Sequence, residues 1–305
     1  MKVVVTGGAG FIGSNLVDRL INDGHNVKVI DNLSTGNPKN VNPKATTYVY
    51  DICDYEKIKP LFQGVDVVFH LAAMARVQPS IENPIEFHKT NVNGTHNLLV
   101  AARDSGVKRF VFSSSSSVYG DVEEKDLPTS EKSELNPMSP YALHKLIGEQ
   151  YCKLFSDLYG METVSLRYFN VYGERQPTEG AYCLVMGIFA GQLLNDEPMT
   201  INGDGEQRRD FTYVGDVVEA NIKAGFNAKL PIFECKGDAF NIGASDNHSV
   251  NDVADLLDGD RIHRDPVIEP RVTKANNDKA RDIIDWKPTQ DFSEWVSGWK
   301  EELGI

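Results

Sequence analysis

The sequence predicts a doubly wound α/β fold, an open parallel sheet with helices on both faces, followed by a smaller mixed α/β C-terminal domain. Three observations predict it. Short apolar runs alternate with helix-length amphipathic stretches through the first 170 residues, the pattern of consecutive βαβ units with right-handed crossovers. A glycine cluster, Gly7, Gly8, Gly10 and Gly13, sits where the first strand should hand over to the first helix. An aspartate, Asp31, closes the second apolar run.

Val3-Val4-Val5 is an apolar run that ends in glycines, as a buried strand does. Ile12, Leu16 and Leu20 then recur at helical spacing until Gly24 stops the pattern. Val27-Lys28-Val29-Ile30 predicts the second strand, Tyr48-Val49-Tyr50 the third and Val65-Asp66-Val67-Val68-Phe69 the fourth. Phe110-Val111-Phe112 predicts the fifth and Val164-Ser165-Leu166 the sixth. Helices are expected over 55–62, 85–104 and 141–159. After Asn170 the alternation loosens, and Gly, Asp and Pro become frequent. A first domain over 1–170 and a second over 171–305 are expected, with 213–240 returning to the first.

Apolar residues make up 41% and charged residues 25% of the 305, enough to bury a large core. Forty-four acidic residues against 31 basic ones give a net charge of −13. So acidic a chain is not expected to hold DNA or RNA by counterion release, nor an anionic membrane by charge. An anionic small molecule would need a local basic site. The four cysteines, Cys53, Cys152, Cys183 and Cys235, form no CxxC pair, so neither a metal site nor a disulfide framework is expected. The uncharged stretch 180–195 is shorter than the roughly 20 apolar residues a spanning helix needs. Strand-like residues follow Met1 directly, leaving no room for a secretion signal. With scattered thiols, a cytoplasmic location is expected.

The glycine loop fits a phosphate-binding turn. The backbone of Gly7, Gly10 and Gly13 can approach a pyrophosphate that a Cβ would obstruct. The helix opening at Phe11 and Ile12 offers free N–H groups and the positive end of its dipole. Asp31 lies 18 residues after Gly13, where an acid accepts hydrogen bonds from ribose hydroxyls and repels a 2′-phosphate. A Rossmann-type domain holding NAD rather than NADP is therefore expected. Asn32, Ser34 and Gly36 could line the adenosine, and Asp51 and Ile52 its adenine edge; for each of these an ordinary turn explains the residue equally well.

Tyr141 and Lys145 are four apart and share a helix face. Ser139 suits the N-cap and Pro140 the first helical position. In the first turn, the helix dipole and the ammonium of Lys145 are expected to lower the phenol from its usual value near 10 and fit it for base catalysis. The chain holds a second Y-x-x-x-K, Tyr55 and Lys59, read as an exposed helix face. The serines at 113–117 end the fifth strand, where ligands approach an open α/β sheet.

On these residues the chain resembles the extended short-chain dehydrogenase/reductase family, and within it the nucleotide-sugar 4-epimerases. The resemblance covers essentially the whole chain. It rests on TGGAGFIGS from Thr6, DNLSTG from Asp31, HLAA from His70, TNVNGT from Thr90, SSSSSVYG from Ser113, YALHK from Tyr141 and LRYFN from Leu166. It implies that Ser115, Tyr141 and Lys145 are catalytic, Tyr141 as the base and Lys145 as its partner on the nicotinamide ribose. It implies that Leu71, Ala72, Ala73, Met74, Thr90, Ser113, Ser114 and Tyr168 line the NAD, with Phe169 also flanking the nicotinamide. It implies that Asn170 contacts the nucleotide sugar and that Arg209 meets its diphosphate, with Arg271 a second candidate. The family's Arg-Pro-Gly-Asp stretch reads Pro266-Val267-Ile268-Glu269-Pro270 here. A homodimer is implied by analogy.

The implied reaction is NAD-dependent epimerisation at C4 of a UDP-hexose through a 4-keto sugar. Related 4,6-dehydratases carry Thr-Asp-Glu where this chain has Ser115-Ser116-Ser117, and the decarboxylases a glutamate at the last of these. Both are absent here. A non-catalytic NAD-binding protein would be expected to lack the Tyr or the Lys. Thr273 falls beside the expected C2 substituent, and QPTEGAY over 176–182 resembles N-acetylhexosamine epimerases. UDP-GlcNAc/UDP-GalNAc, alone or alongside UDP-Glc/UDP-Gal, are the expected substrates, with UDP-glucuronate as the alternative. Arg76 is read as solvated, with a substrate carboxylate as its second option.

Overall fold

The computed structural model describes residues 1–178, 183–227, 236–267 and 269–305. The first unit runs β1 (Lys2–Thr6), α1 (Phe11–Asn22), β2 (Asn26–Ile30) and β3 (Thr46–Tyr48), then α2 (Tyr55–Ile58) and β4 (Val67–His70). The short helices α3 (Val77–Glu82) and α4 (Pro84–His88) lead through a π-helical turn (Lys89–Gly94) into α5 (Thr95–Asp104). β5 (Arg109–Ser115), α6 (Pro140–Tyr159) and β6 (Glu162–Tyr168) complete it. After β7 (Val171–Tyr172) come α7 (Val185–Leu194), β8 (Met199–Asn202), β9 (Arg208–Asp210), β10 (Thr212–Tyr213) and α8 (Val214–Phe226). β11 (Lys236–Ile242), β12 (Asn247–Ser249), α9 (Val250–Leu257), β13 (Arg261–Arg264), α10 (Asp278–Ile284) and α11 (Phe292–Leu303) follow.

Seven strands form one sheet in the order β11-β6-β5-β4-β1-β2-β3, and every pairing in it is parallel. Each central strand is an apolar run because helices cover both faces. On one face, Val3, Val5, Phe69 and Val111 pack with residues of α1, α8 and α10. On the other, Val4, Val68, Phe110 and Phe112 pack with residues of α5 and α6. Strand order reverses between β1 and β4, which opens a crevice at their C-terminal ends. A separate apolar cluster, with Phe189, Ile201, Val253 and Trp299, joins α7, β8, α9 and α11. The short strands pair outside the main sheet, β10 with β7, β12 with β9 and β13 with β8.

The structure moves three expected elements. The third strand lies two residues earlier than expected, because the Tyr50 N–H turns back to the Tyr48 carbonyl (3.0 Å) and Val49 is exposed. The helix expected over 55–62 stops as α-helix at Ile58 and tightens into a 3₁₀ turn over Lys59–Phe62, because Pro60 lacks a backbone donor. The helix expected over 85–104 is interrupted by the π-helical turn. There Gly94 meets Ile52 so closely that a Cβ would lie 2.5 Å from its Cδ1. β11 is a seventh strand beyond the six expected.

One close approach fixes the sheet against α6. A Cβ on Gly148 would lie 2.3 Å from Cζ of the buried Phe112. Gly148→Ala forces α6 away from β5 and should cost about 1–3 kcal/mol, read as a lower thermal midpoint than the parent's.

Candidate active site

The glycine loop is a cradle with no room for side chains. Gly7 has φ +73°, and a Cβ there would come 2.7 Å from the Ala72 nitrogen. A Cβ on Gly13 would come 2.0 Å from the Gly7 carbonyl oxygen. Gly10 is the N-cap of α1 and supplies no side-chain cap, and the first turn holds no acid. The opening N–H groups at Phe11 and Ile12 therefore keep their dipole for an anion. Asp31 is buried, and its Oδ2 accepts from Ala9 N (2.9 Å) while Oδ1 accepts from Leu33 N (2.8 Å). A carboxylate has about four acceptor sites, so sites remain for ribose hydroxyls. Gly36 packs against this pair, where a Cβ would lie 2.9 Å from Ala9 Cβ and 3.1 Å from Asp31 Oδ1. The residues present fit a dinucleotide.

Around this cradle some expected contacts are turned elsewhere. Asn32 and Ser34 are exposed and bond to one another. Asp51 stays half-buried, with Oδ1 on Cys53 N. The side chain of Ile52 is buried in the core and its carbonyl accepts from Asn97, which leaves its backbone N–H for an adenine edge. Leu71, Ala72, Ala73 and Met74 leave β4 partly exposed. Thr6 Oγ1 accepts from Ala72 N (3.2 Å), and the Asn91 side chain brackets both the N–H and the carbonyl of Met74 (2.8 Å each). Thr90 is half-buried beside Asn91. His70 bridges Thr6 and Thr95 at 2.8 Å each, and burial pushes it down to about 3, so it is neutral.

α6 begins as its sequence asks. Ser139 Oγ accepts from Ala142 N (3.2 Å), Pro140 follows, and the helix ends on left-handed Gly160. Tyr141 then lies in the first turn and Lys145 one turn on. Lys145 is buried; its Nζ donates to the Ser113 carbonyl (2.7 Å) and lies 5.8 Å from the Tyr141 ring centroid. Burial pushes its ammonium down to about 8, against the pull of Glu149. The Tyr141 phenol departs from expectation. Burial raises it above its ordinary value, opposed by a hydrogen bond from Ser115 and by the charge of Arg76. The desolvation of a phenol packed among α3, α6 and β5 outweighs the helix dipole.

The structure separates the serines. Ser113 Oγ bonds the Tyr168 hydroxyl (3.0 Å), which in turn bonds Asn221. Ser114 Oγ donates to Glu149 Oε1 (2.5 Å). Both are buried and their hydroxyls point into the protein, so only their backbone is left to line a cofactor. Tyr168 is also buried, its hydroxyl committed inward. Phe169 packs with Val118, Tyr119 and Ala275 and offers no ring face to a nicotinamide. Ser115 is partly exposed, accepts from Ser117 N (3.2 Å) and faces the Tyr141 phenol.

Of the other expected substrate residues, Asn170 lies between β6 and β7, Arg209 on β9, and Arg271 and Thr273 after β13. Asn170 Nδ2 donates to the Asp210 carbonyl (3.4 Å). Arg209 is largely buried, with Nη2 on Glu269 Oε2 and Nη1 on the Arg208 carbonyl. Arg271, the second candidate for the diphosphate, is paired at the surface. Its guanidinium is half-exposed and held by both oxygens of Asp204 (2.8 and 2.9 Å). Thr273 Oγ1 accepts from Asp210 N (3.1 Å), so the side chain is turned to backbone. Asp210 is buried, and its carboxylate takes the N–H groups of Ala244, Ser245 and Ala275. Arg76 is not solvated: it is half-buried, with Nη2 on the Cys183 carbonyl. Within 176–182, residues 179–182 lie outside the described residues, as does Ile268.

Sequence reasoning missed the supports behind the site. Glu149 takes two hydrogen bonds from Arg167 (2.9 and 2.6 Å) with both side chains buried, and Arg167 also reaches the Tyr119 hydroxyl (2.8 Å). Asn91, inside the TNVNGT stretch, holds Met74 by two hydrogen bonds. The available signal was position: Glu149 follows Lys145 by one helical turn on the same face.

The NAD dependent epimerase/dehydratase family matches residues 3–243. The UDP-glucose 4-epimerase of Mycolicibacterium smegmatis is 34% identical over 97% of this chain and 96% of its own. A UDP-glucose 4-epimerase of Thermotoga maritima, solved with UDP-glucose, superposes with a TM-score of 0.91 at 37% identity, covering 99% of this chain and 98% of that one. A UDP-glucuronic acid 4-epimerase of Bacillus cereus, solved with UDP-glucuronic acid and NAD, gives 0.89 at 31% identity, covering 100% and 99%. The chain belongs to the NAD-dependent epimerase/dehydratase family. Within it the chain is an NAD-dependent enzyme of the nucleotide-sugar 4-epimerase type. Among the described residues there is no cluster that could hold a metal ion, and no helix is long and apolar enough to cross a membrane.

Arg167→Met leaves the Glu149 charge buried without its partner. It should cost about 3–5 kcal/mol, measured by urea unfolding.

Proposed function

We propose that this chain interconverts the C4 epimers of a UDP-hexose, with Tyr141 as the proton-transfer group, Ser115 as its hydrogen-bonding companion and Lys145 as the cation behind them. One observation carries the reading: Ser115 faces the Tyr141 phenol at the open end of β5, while Ser116 and Ser117 stand where a dehydratase needs an acid and a base. Gly7, Gly10, Gly13 and Asp31 would hold the NAD. When bound, NAD supplies the reversible redox step at C4.

The side chains do the rest. Ser115 and Tyr141 orient the C4 hydroxyl between them. The Tyr141 oxygen takes the hydroxyl proton as C4 becomes a ketone, and returns it after the 4-keto sugar has presented its other face. Lys145 holds the Ser113 carbonyl and so keeps the end of β5 in place beside the phenol. Arg209 supplies the local positive charge for the diphosphate, exchanging Glu269 for the stronger anion, and Asn170 stands beside it. Arg271, paired with the exposed Asp204, is the second candidate and could make the same exchange.

For the sugar we favour UDP-GlcNAc/UDP-GalNAc, alone or alongside UDP-Glc/UDP-Gal. The small Thr273 side chain, drawn onto the Asp210 backbone, supports space for an N-acetyl group. A UDP-hexuronate is the second reading, favoured by the cation of Arg76 near Tyr141. A second copy of the chain would cover Ile85, Leu143, Leu154 and Leu158, which stand exposed on α4 and α6. A division of labour between a cofactor-holding 1–170 and a sugar-gripping remainder fits these placements, and we assign the enzyme to the cytoplasm on its unpaired thiols at Cys53 and Cys152.

Four UDP-sugars, offered separately, test this. Inversion at C4, followed by NMR, is expected with at least one; none with any of them refutes the epimerase, and a deoxy product points to a dehydratase. Tyr141→Phe should lower kcat roughly 10²–10⁴-fold while NAD remains bound, as read by its co-purification. Arg209→Ala should raise KM for the UDP-sugar about tenfold or more with kcat less affected.

A further inference from the structure

The ladder between β1 and β4 ends where the Leu71 N–H donates to the Thr6 carbonyl (3.1 Å). Side chains carry the bonding one step further. Thr6 Oγ1 accepts from the next N–H, that of Ala72 (3.2 Å), and lies 2.8 Å from His70 Nδ1. His70 Nε2 lies 2.8 Å from Thr95 Oγ1, and the Thr95 hydroxyl donates to the Asn91 carbonyl (2.7 Å). Thr6, His70, Asn91 and Thr95 are all buried. These bonds fix where the protons lie. Thr95 spends its proton on a carbonyl, which can only accept, so toward His70 its oxygen accepts and Nε2 donates. Burial keeps the ring uncharged, so Nδ1 is bare and takes the Thr6 proton. The opposite tautomer would set two donors against Thr6 Oγ1 and draw the Thr95 proton off the Asn91 carbonyl.

The run starts and closes on one segment. It begins at the Ala72 N–H and returns through the Asn91 side chain, which holds both the N–H and the carbonyl of Met74 (2.8 Å each). Ala72 is also the residue the glycine turn meets, since a Cβ on Gly7 would lie 2.7 Å from its nitrogen. Sheet order places this segment in the path of a dinucleotide. Asp31 follows β2, the glycine turn follows β1, Ala72 and Met74 follow β4, and Ser115 ends β5, with β2, β1, β4 and β5 side by side. A cofactor with its adenosine at Asp31 and its pyrophosphate at the glycine turn lays its nicotinamide half over Ala72 and Met74. We propose that His70, as the Nε2–H tautomer, is a positioning residue of the NAD site: it fixes the Leu71–Met74 segment at the distance from the glycine turn that the nicotinamide half requires. The inference rests on the placement of NAD proposed above. His70 itself is shut away from any ligand and acts through Thr6 on one side and through Thr95 and Asn91 on the other.

Two measurements on the holoenzyme test this. A long-range nitrogen–proton NMR correlation should show the His70 ring proton on Nε2 alone. A proton on Nδ1, or on both nitrogens, overturns the proposal. The second measurement follows the NAD displaced by ADP, which keeps the adenosine and both phosphates and lacks the nicotinamide half. Thr6→Val keeps the shape of the side chain and the backbone ladder and removes the hydroxyl. It should lower the preference for NAD over ADP roughly three- to tenfold, and Thr6→Ser, which keeps the hydroxyl, should recover most of it. A general loosening of the cradle weakens both ligands and leaves their ratio alone. A ratio unmoved in Thr6→Val, with ADP displacing NAD normally from the parent, overturns the proposal alone, as does a loss that Thr6→Ser does not recover. ADP that displaces no NAD even from the parent overturns the placement of NAD, and the proposal with it.

Discussion

The site depends on the buried contact between α6 and the end of β5. Glu149 sits under the helix with its carboxylate shared between the Arg167 guanidinium of β6 and the hydroxyl of Ser114. Neither charge could remain buried there without the other. The fork geometry of Arg167 fixes the angle of the helix as well as its distance. Everything chemical follows from that angle. Lys145, one turn before Glu149, reaches the Ser113 carbonyl, and Tyr141, one turn earlier again, comes up beside Ser115. Arg167 also extends the network through the Tyr119 hydroxyl to Asn241 in β11, so the edge strand is tied to the same point.

Much of this was legible in the sequence because it is periodic or local. Strand β1, the glycine turn, α1 and β2 occupy a few consecutive residues whose types each have one structural use. The Ser139-Pro140 start of α6 is equally local. What escaped was contact between distant segments. No pattern near Ser113 says that its hydroxyl turns to Tyr168 while its carbonyl receives Lys145. No pattern near Arg271 says that Asp204 claims its guanidinium. Burial likewise reversed the expected direction of the Tyr141 phenol, since desolvation is set by what packs above a side chain and not by its neighbours in sequence. The π-helical turn is a further case, placed by the contact of Gly94 with Ile52.

The net charge of −13 and the anionic ligands of the family are reconciled by how each anion is met. The glycine cradle presents backbone N–H groups and a helix dipole, which leave the formal charge unchanged. Arg209 brings one cation, and Glu269 neutralises it. An anion that displaced Glu269 there would exchange one negative charge for another, so such a site need not store uncompensated positive charge in an acidic protein.

Asp31 serves two masters, and this constrains how the enzyme could be re-engineered. A carboxylate at the end of β2 repels a 2′-phosphate, and this one also fastens the Ala9 N–H at the centre of the glycine turn. Selectivity and the shape of the phosphate cradle are therefore one feature. Replacing the acid to admit the phosphorylated cofactor would loosen the loop that both cofactors require. A successful switch must supply a second acceptor for Ala9 along with the new cation, and the tight packing of Gly36 against both residues leaves little room to install one.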